Sequence, residues 1–292
     1  MMNEQATVTA TPTSRAPRIT VLRCDDVPEP DRSVHGDTEV RTARHILRAA
    51  QVLGWTPIVD VVDVYAGERP GFDSDLFVTT GSATSPLSDA PWVQGLRDWL
   101  LEALPRGARV YGICFGHQLI AQVLGGVVGR APGWEVGCVA MRRDLRLGVG
   151  TATELGDTAD AKRDSLPAEV RLLQSHQDEV QGLAPGARLW LRGAQCAIQG
   201  YVHEVGDAGG RVAAVQGHPE FERDQVRDLY TRRRERLGEA LFTAAWASTD
   251  IDHHGLALSV EAMTWLIGDR FATGIPASPI AARPNATGID AV

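Results

Sequence analysis

An apolar run at 108–114, ARVYGIC, passes directly into FGHQLIAQVLGG at 115–126 with no turn-forming pair between them. In the second piece Leu119, Ile120, Val123 and Leu124 fall on one helical face, and Gly125-Gly126 end the pattern. A strand that runs straight into a helix points to helical crossovers, which join parallel strands and cover both faces of their sheet. The same alternation precedes it. RITVLRC at 18–24, TPIVDVV at 56–62 and DLFVTTG at 75–81 read as buried strands, and EVRTARHILRAAQVLG at 39–54 and WVQGLRDWLLEAL at 92–104 carry helical periodicity. These elements predict an α/β fold: a three-layer α/β/α domain with a mostly parallel central sheet. From 127 to about 217 helical signals thin, and CVAMRR, VRLLQS, ARLWLRG, AIQGYVHEV and RVAAVQG read as later strands of the same domain. Helices at about 222–247 and 256–268 are expected to close it.

The 292 residues can hold one large domain or two small ones, and no linker or internal repeat divides the middle. One domain over 18–270 is therefore expected, flanked by Thr-, Ala- and Pro-rich tails without periodicity at 1–17 and 271–292, which read as disordered. Lys and Arg total 29 against 37 Asp and Glu, a net charge of −8, which gives no general attraction to phosphate backbones or anionic lipid. Nucleic acid and membrane are accordingly not expected partners. The basic cluster Arg232, Arg233, Arg234 and Arg236 is punctuated by Asp228, Glu235 and Glu239 and reads as a solvated helix face. No apolar run approaches the ~20 residues of a membrane span, and the N-terminus lacks the apolar core of a signal peptide. Four widely spaced cysteines without a CxxC pair fit a reducing compartment, and the cytoplasm is the expected location.

Gly112-Ile113-Cys114-Phe115-Gly116 is a G-x-C-x-G at the strand-to-helix junction, the setting of a nucleophile elbow. The turn is too sharp for side chains at the flanking glycines, and it exposes the thiol at the carboxyl edge of the sheet. The following helix directs its N-terminal N–H groups at the sulfur, which favours the thiolate. A buried structural cysteine in a glycine-flanked turn would show the same pentapeptide. A cysteine nucleophile needs a base and a group to orient it. His218 and Glu220 in Gln216-Gly217-His218-Pro219-Glu220-Phe221 offer both just after the apolar strand RVAAV. A His-x-Glu alone is common by chance and carries weight only beside the elbow.

The two motifs together, GICFGHQ at 112–118 and GHPE at 217–220, resemble the signature of class I glutamine amidotransferases, a family with a flavodoxin-like sheet and a Cys, His and Glu triad. The resemblance covers roughly 18 to 270. It implies that Cys114 attacks the amide of glutamine or of a γ-glutamyl compound, that a γ-glutamyl thioester forms, and that His218, oriented by Glu220, handles the protons. It further implies an oxyanion hole of the Ser82 and Phe115 backbone N–H groups, and a substrate pocket lined by Gly81, Gln118, Ser175, His176, Gln177 and Asp178. The oxyanion loop departs from the family pattern Gly-Gly-Pro-x-Ser, reading Gly81-Ser82-Ala83-Thr84-Ser85. Further stretches, including Gly129 to Gly137 and Ser175 to Val180, look like the free-standing branch, similar to the glutaminase domain of GMP synthase and to γ-glutamyl peptidases.

The resemblance implies hydrolysis of a small γ-glutamyl substrate. Two alternatives are a glutaminase subunit that supplies ammonia to a separate synthase in trans, and a catalytically silent binding protein on the same fold. The chain has no P-loop, Rossmann fingerprint or spare length for an attached synthase, and no cofactor is implied. No metal is expected either, because adjacent His253-His254 point apart on a helix. Cys24, Cys138 and Cys196 read as small core residues. Asp25-Asp26 after the first strand reads as a loop N-cap within reach of the site, and Glu135 as either a substrate contact or a loop anchor.

Overall fold

A computed structural model describes residues 15–29, 31–155 and 166–271. Strands β1 (Arg18–Leu22), β2 (Ile58–Val62), β3 (Leu76–Thr79), β4 (Arg109–Ile113) and β11 (Gly210–Val215) pair in parallel in the order β2-β1-β3-β4-β11. The same sheet continues antiparallel through β10 (Gly200–Val205), β9 (Arg188–Arg192), β5 (Val127–Arg143) and β8 (Glu169–Gly182), giving nine strands. A separate pair, β6 (Leu145–Gly148) and β7 (Thr151–Glu154), stands beside it. The α/β sheet read from the alternation is thus present: β1 to β4 come from the strands of the alternating part, the later β-like piece RVAAVQG adds the parallel strand β11, and the other later pieces build the antiparallel half.

Alternation along the central strands builds both covered faces. Tyr111 and Ile113 of β4 and Ala213 and Val215 of β11 face one core with α2 (Thr38–Val52) and α7 (Gly255–Ile267). Val110, Val212 and Ala214 face the other with α3 (Pro91–Ala103) and α4 (Phe115–Val123). Helix α2 turns Thr42, His45, Ile46, Ala49 and Ala50 inward, a helical stripe, and starts where the Asp37 side chain accepts the Thr38 N–H. On the opposite face Trp99 is fully buried and meets Phe77 edge-on at 4.8 Å.

A third cluster places α5 (Arg223–Leu237) and α6 (Glu239–Ser248) against β5 and β8 through Val136, Leu173, Phe221, Val226, Tyr230 and Ala245. The Tyr230 hydroxyl donates to the Gln174 carbonyl at 2.6 Å and accepts from the Gly137 N–H at 2.7 Å, which fixes the helix to both strands. The sequence pattern predicts one helix over 222–247, but Gly238, at φ 74 and ψ 157, divides it in two. The span 127–137, for which the sequence pattern names no strand, belongs to the long strand β5, whose register with β8 shifts between Arg130 and Glu135. The short helix α1 (Asp31–His35) occupies the loop after β1.

Of the segments read as tails, 1–14 and 272–292 lie outside the described residues. Arg15 pairs with Asp75 at 2.5 Å and Phe271 packs against Trp55 at 5.9 Å, so these two contact the domain. Among the described residues no helix is long and apolar enough to cross a membrane.

Candidate active site

Cys114 lies at the carboxyl end of β4, and its backbone N–H donates to the Val215 carbonyl of β11 at 2.9 Å. It has φ 49 and ψ −96, the one positive-φ non-glycine among the described residues. An L side chain in this region is strained, and the strain is sustained only where surroundings over-determine it. Gly116 shows how tight the turn is, since a Cβ there would sit 1.6 Å from Thr79 Oγ1. Phe115 opens α4, and the first helical N–H groups have no intrahelical partner, so they are available beside the sulfur.

His218 follows β11 across the same edge, where its N–H donates to the Leu173 carbonyl of β8 at 2.9 Å. The ring stacks on Phe221 at 3.8 Å, and Nδ1 bonds Glu220 Oε1 at 2.8 Å. Both side chains are buried. Burial alone would depress the His218 pKa, but the Glu220 carboxylate, and after it the Cys114 sulfur, outweigh it and push it up to about 10. Burial would likewise raise Glu220, yet the imidazolium dominates and holds the carboxyl below its ordinary range. Each group thus favours the charged form of the other. Glu220 Oε2 has no hydrogen-bond partner among the described residues, and Glu220 lines a polar cavity with Arg41, Arg44, His45, Glu222 and Gln225.

Gly81 lies against the His218 ring, for a Cβ there would be 2.6 Å from Cε1. In the same loop the Ser82 hydroxyl accepts the Thr84 N–H at 3.0 Å. Gln118 Nε2 is committed internally, donating to the Asp178 carbonyl at 2.6 Å and to Gln216 Oε1 at 3.1 Å. Gln216 in turn directs Nε2 at Cys114 Sγ at 3.6 Å. Both nitrogens of buried His176 are occupied, Nε2 by Glu135 at 2.9 Å and Nδ1 by the Asp178 carbonyl at 3.1 Å. Gln177 joins Arg130 at 2.6 Å and the Ala131 carbonyl at 3.4 Å, so it ties β5 to β8. Ser175 meets Arg233: its Oγ accepts from Nη1 at 2.6 Å. Cys114, His218, Glu220, the loop at Gly81 and, through Gln216, Gln118 meet at one edge of the sheet, while Ser175, His176, Gln177 and the Asp178 carbonyl are engaged with β5, α4 and α5.

The charge cluster on α5 reads differently in the fold. Arg234 pairs with Glu239 at the surface and Arg232 with the buried Asp31 of α1, while Arg233 turns inward to Ser175. The sequence signal is its phase: Val226, Tyr230 and Leu237 are buried, and position 233 completes that stripe at helical spacing. The part played by Trp134, over which the Arg233 guanidinium lies at 5.1 Å, and that of Gln216 carry no comparable signal.

Three ligand-type side chains, Glu135, His176 and Cys196, bring their atoms within 4.8 Å of one another. The Glu135 carboxylate also accepts from Gln199 Nε2 at 2.6 Å and from the Cys196 N–H at 3.4 Å, so it anchors a hydrogen-bonded group beneath the β5–β8 pair. The paired histidines serve backbone: His253 Nε2 bonds the Phe221 carbonyl at 3.1 Å and His254 Nδ1 accepts the Arg171 N–H at 3.0 Å. Cys24 and Cys196 are buried, whereas Cys138 is partly exposed.

The family model for glutamine amidotransferase class-I matches residues 76–233, more than half of the chain. The chain belongs to that family. It is 31% identical to gamma-glutamyl peptidase 4 of Arabidopsis thaliana over 159 residues, 53% of this chain and 57% of the relative. It is 36% identical to one subunit of the glutamine-hydrolyzing GMP synthase of Thermococcus kodakarensis over 131 residues, 44% of this chain and 61% of the relative. The matches thus span little more than half the length of these relatives. A glutamine amidotransferase from Thermotoga maritima shares the fold at a TM-score of 0.59 and 19% identity, over 87% of this chain and 97% of that one.

Proposed function

We propose that the chain hydrolyses the γ-amide bond of a small γ-glutamyl compound, with Cys114 as nucleophile. The observation that carries this reading is the strained elbow at φ 49 beside a His218–Glu220 pair hydrogen-bonded at 2.8 Å. The Cys114 thiolate adds to the γ-carbonyl carbon, forming a C–S bond and an oxyanion that the Phe115 and Ser82 N–H groups accommodate. As the C–N bond breaks, protonated His218 gives its proton to the leaving nitrogen, so an amine or ammonia departs and a γ-glutamyl thioester remains. Neutral His218 then takes a proton from water, hydroxide adds to the thioester carbon, and the C–S bond breaks to release glutamate and restore the thiolate. Glu220 holds the ring by Nδ1, leaving Nε2 for these transfers.

The test is glutamate release from glutamine, glutathione and several γ-glutamyl dipeptides by the purified chain and by Cys114→Ala. Release from a γ-glutamyl peptide that vanishes in the variant supports the reading, and turnover that survives Cys114→Ala overturns it. Similarity to a GMP synthase subunit favours one second reading, ammonia supply to a synthase in trans. It requires release from glutamine only, rising when a co-purified partner is added.

A further inference from the structure

Helix α2 turns Arg41, Arg44, His45 and Arg48 to one side, at the i, i+3, i+4 and i+7 spacing of a single helical face. They line a cavity of about 170 Å³ against the start of α5, where Glu220 and Glu222 complete the wall. A single water needs ~10–15 Å³, so a polyatomic ligand has room. Neither Cys114 nor His218 lines it, and of the triad only Glu220 borders it.

Much of the wall is already partnered. Arg48 Nη1 donates to Glu222 Oε1 at 3.1 Å, His35 Nε2 meets Asp228 at 2.7 Å, and His45 Nε2 meets Ser259 Oγ at 2.8 Å. Burial pushes the His45 pKa down to about 4, so that ring adds no charge near neutrality. Three groups remain. Glu220 is only 7% exposed, and while Oε1 holds His218 Nδ1 at 2.8 Å, Oε2 has no partner among the described residues. Arg41 donates from Nη1 to the Gly36 carbonyl at 2.8 Å, but its Nε is buried without a partner among them. Exposed Arg44 has neither a hydrogen bond nor an ion pair among them.

The buried carboxylate oxygen therefore calls for a donor, and the two guanidinium groups call for acceptors. A cation would meet three guanidinium groups, and an anion without a proton would set its own oxygen against Oε2. A tetrahedral oxyanion that keeps one O–H meets both demands, because its bare oxygens accept from arginine and its hydroxyl donates to the carboxylate. We propose that this cavity binds inorganic phosphate in its hydrogenphosphate form, held by Arg41 and Arg44 and donating its O–H to Glu220 Oε2. The bound ion supplies the bond that Glu220 lacks, and so acts on the carboxylate that holds His218 from the side away from the imidazole. The site goes beyond the hydrolase reading and stands whether or not that reading does.

Calorimetry on the full-length protein at pH ~8, above the ~6 at which a phosphomonoester loses its second proton, compares phosphate with sulfate and methyl phosphate. All three are then tetrahedral dianions, and only phosphate retains an O–H. Phosphate is expected to bind at least ~10-fold more tightly than either, the scale of a hydrogen bond to a charged group. It should also shift the His218 ring resonances, which sulfate should leave in place. Glu220→Gln, whose amide can donate where the carboxylate only accepts, should bring sulfate level with phosphate. Arg44→Gln should weaken phosphate ~10-fold with the melting temperature little changed, since the side chain is exposed. Circular dichroism melts verify folding, and where Glu220→Gln fails to fold, the three-ligand comparison and Arg44→Gln decide. Equal affinity for the three ions would reveal unspecific attraction to arginine and overturn the site. Absence of phosphate binding, tighter binding of methyl phosphate, phosphate affinity unchanged in Arg44→Gln, or a preference over sulfate that survives in folded Glu220→Gln would overturn it too.

Discussion

Gly81→Ala isolates the placement of His218 from the chemistry it performs. Gly81 is not among the positive-φ glycines, so alanine meets little backbone penalty there. Its Cβ, however, would stand 2.6 Å from His218 Cε1 and 3.4 Å from Nδ1, against an ordinary carbon contact of ~3.5–4.0 Å. The ring must therefore move by about 1 Å. It has nowhere to go without loss, because Phe221 is stacked on it at 3.8 Å and Glu220 holds Nδ1 at 2.8 Å. A displacement of about 1 Å at a catalytic group costs ~10²-fold in rate, or ~2.7 kcal/mol of barrier. Stability should fall by no more than the ~1–3 kcal/mol of one strained buried hydrogen bond. Steady-state glutamate release and a thermal melt would be compared with Gly95→Ala on α3, where an added Cβ meets nothing within 4 Å. Wild-type turnover in Gly81→Ala would refute the reasoning. Loss of the folded state would refute it as well, since the ring alone is expected to move.

Three further outcomes are expected. Because the folded-state pKa of His218 is raised to about 10 from ~6.5, its contribution to stability is complete below pH ~6.5 and is lost as pH rises toward 10; urea unfolding across that window should show a decline that His218→Ala lacks. Glu261 Oε1 accepts from Arg143 Nη2 at 2.6 Å and from the Leu147 N–H at 2.7 Å in the core, so Glu261→Ala should cost about 3–5 kcal/mol, measured by chemical denaturation, and Glu261→Gln less. Burial pushes the Cys24 thiol up to about 12, Cys138 up to about 11 and Cys196 higher still, so iodoacetamide near neutral pH should modify Cys114 first, read by peptide mapping.

The elbow and the His218–Glu220 pair are legible in the sequence because their geometry is local. A strand, a sharp turn and a helix are each written in adjacent residues, and the two motifs need only a parallel neighbour relation, which β4 and β11 provide. The strands of the parallel half are legible for a similar reason, being short apolar runs between helical patterns. Long strand β5 is not, since Gly129, Pro132, Gly133 and Gly137 break its apolar pattern, and only pairing with β8 on one side and β9 on the other makes it a strand. Arg233 is hidden among neighbours of its own kind: in a charge run every arginine looks solvated until the face that packs on β8 is known. The commitments of Gln118 to the Asp178 carbonyl and of His176 to the Glu135 carboxylate are equally invisible, because those partners lie far away in the chain.

The φ of 49 at Cys114 has a consequence for how such a chain changes over generations. A backbone of this kind holds an L residue at a cost of order 1–3 kcal/mol, which glycine would not incur. Replacement of this cysteine by glycine should therefore raise the melting temperature while leaving the chain inert. Drift from nucleophile to glycine runs downhill in stability, and the return runs uphill. A cysteine standing in that conformation is thus a position that mutation alone would erode, and under the hydrolase reading the chain forgoes a sturdier turn to keep a sulfur there.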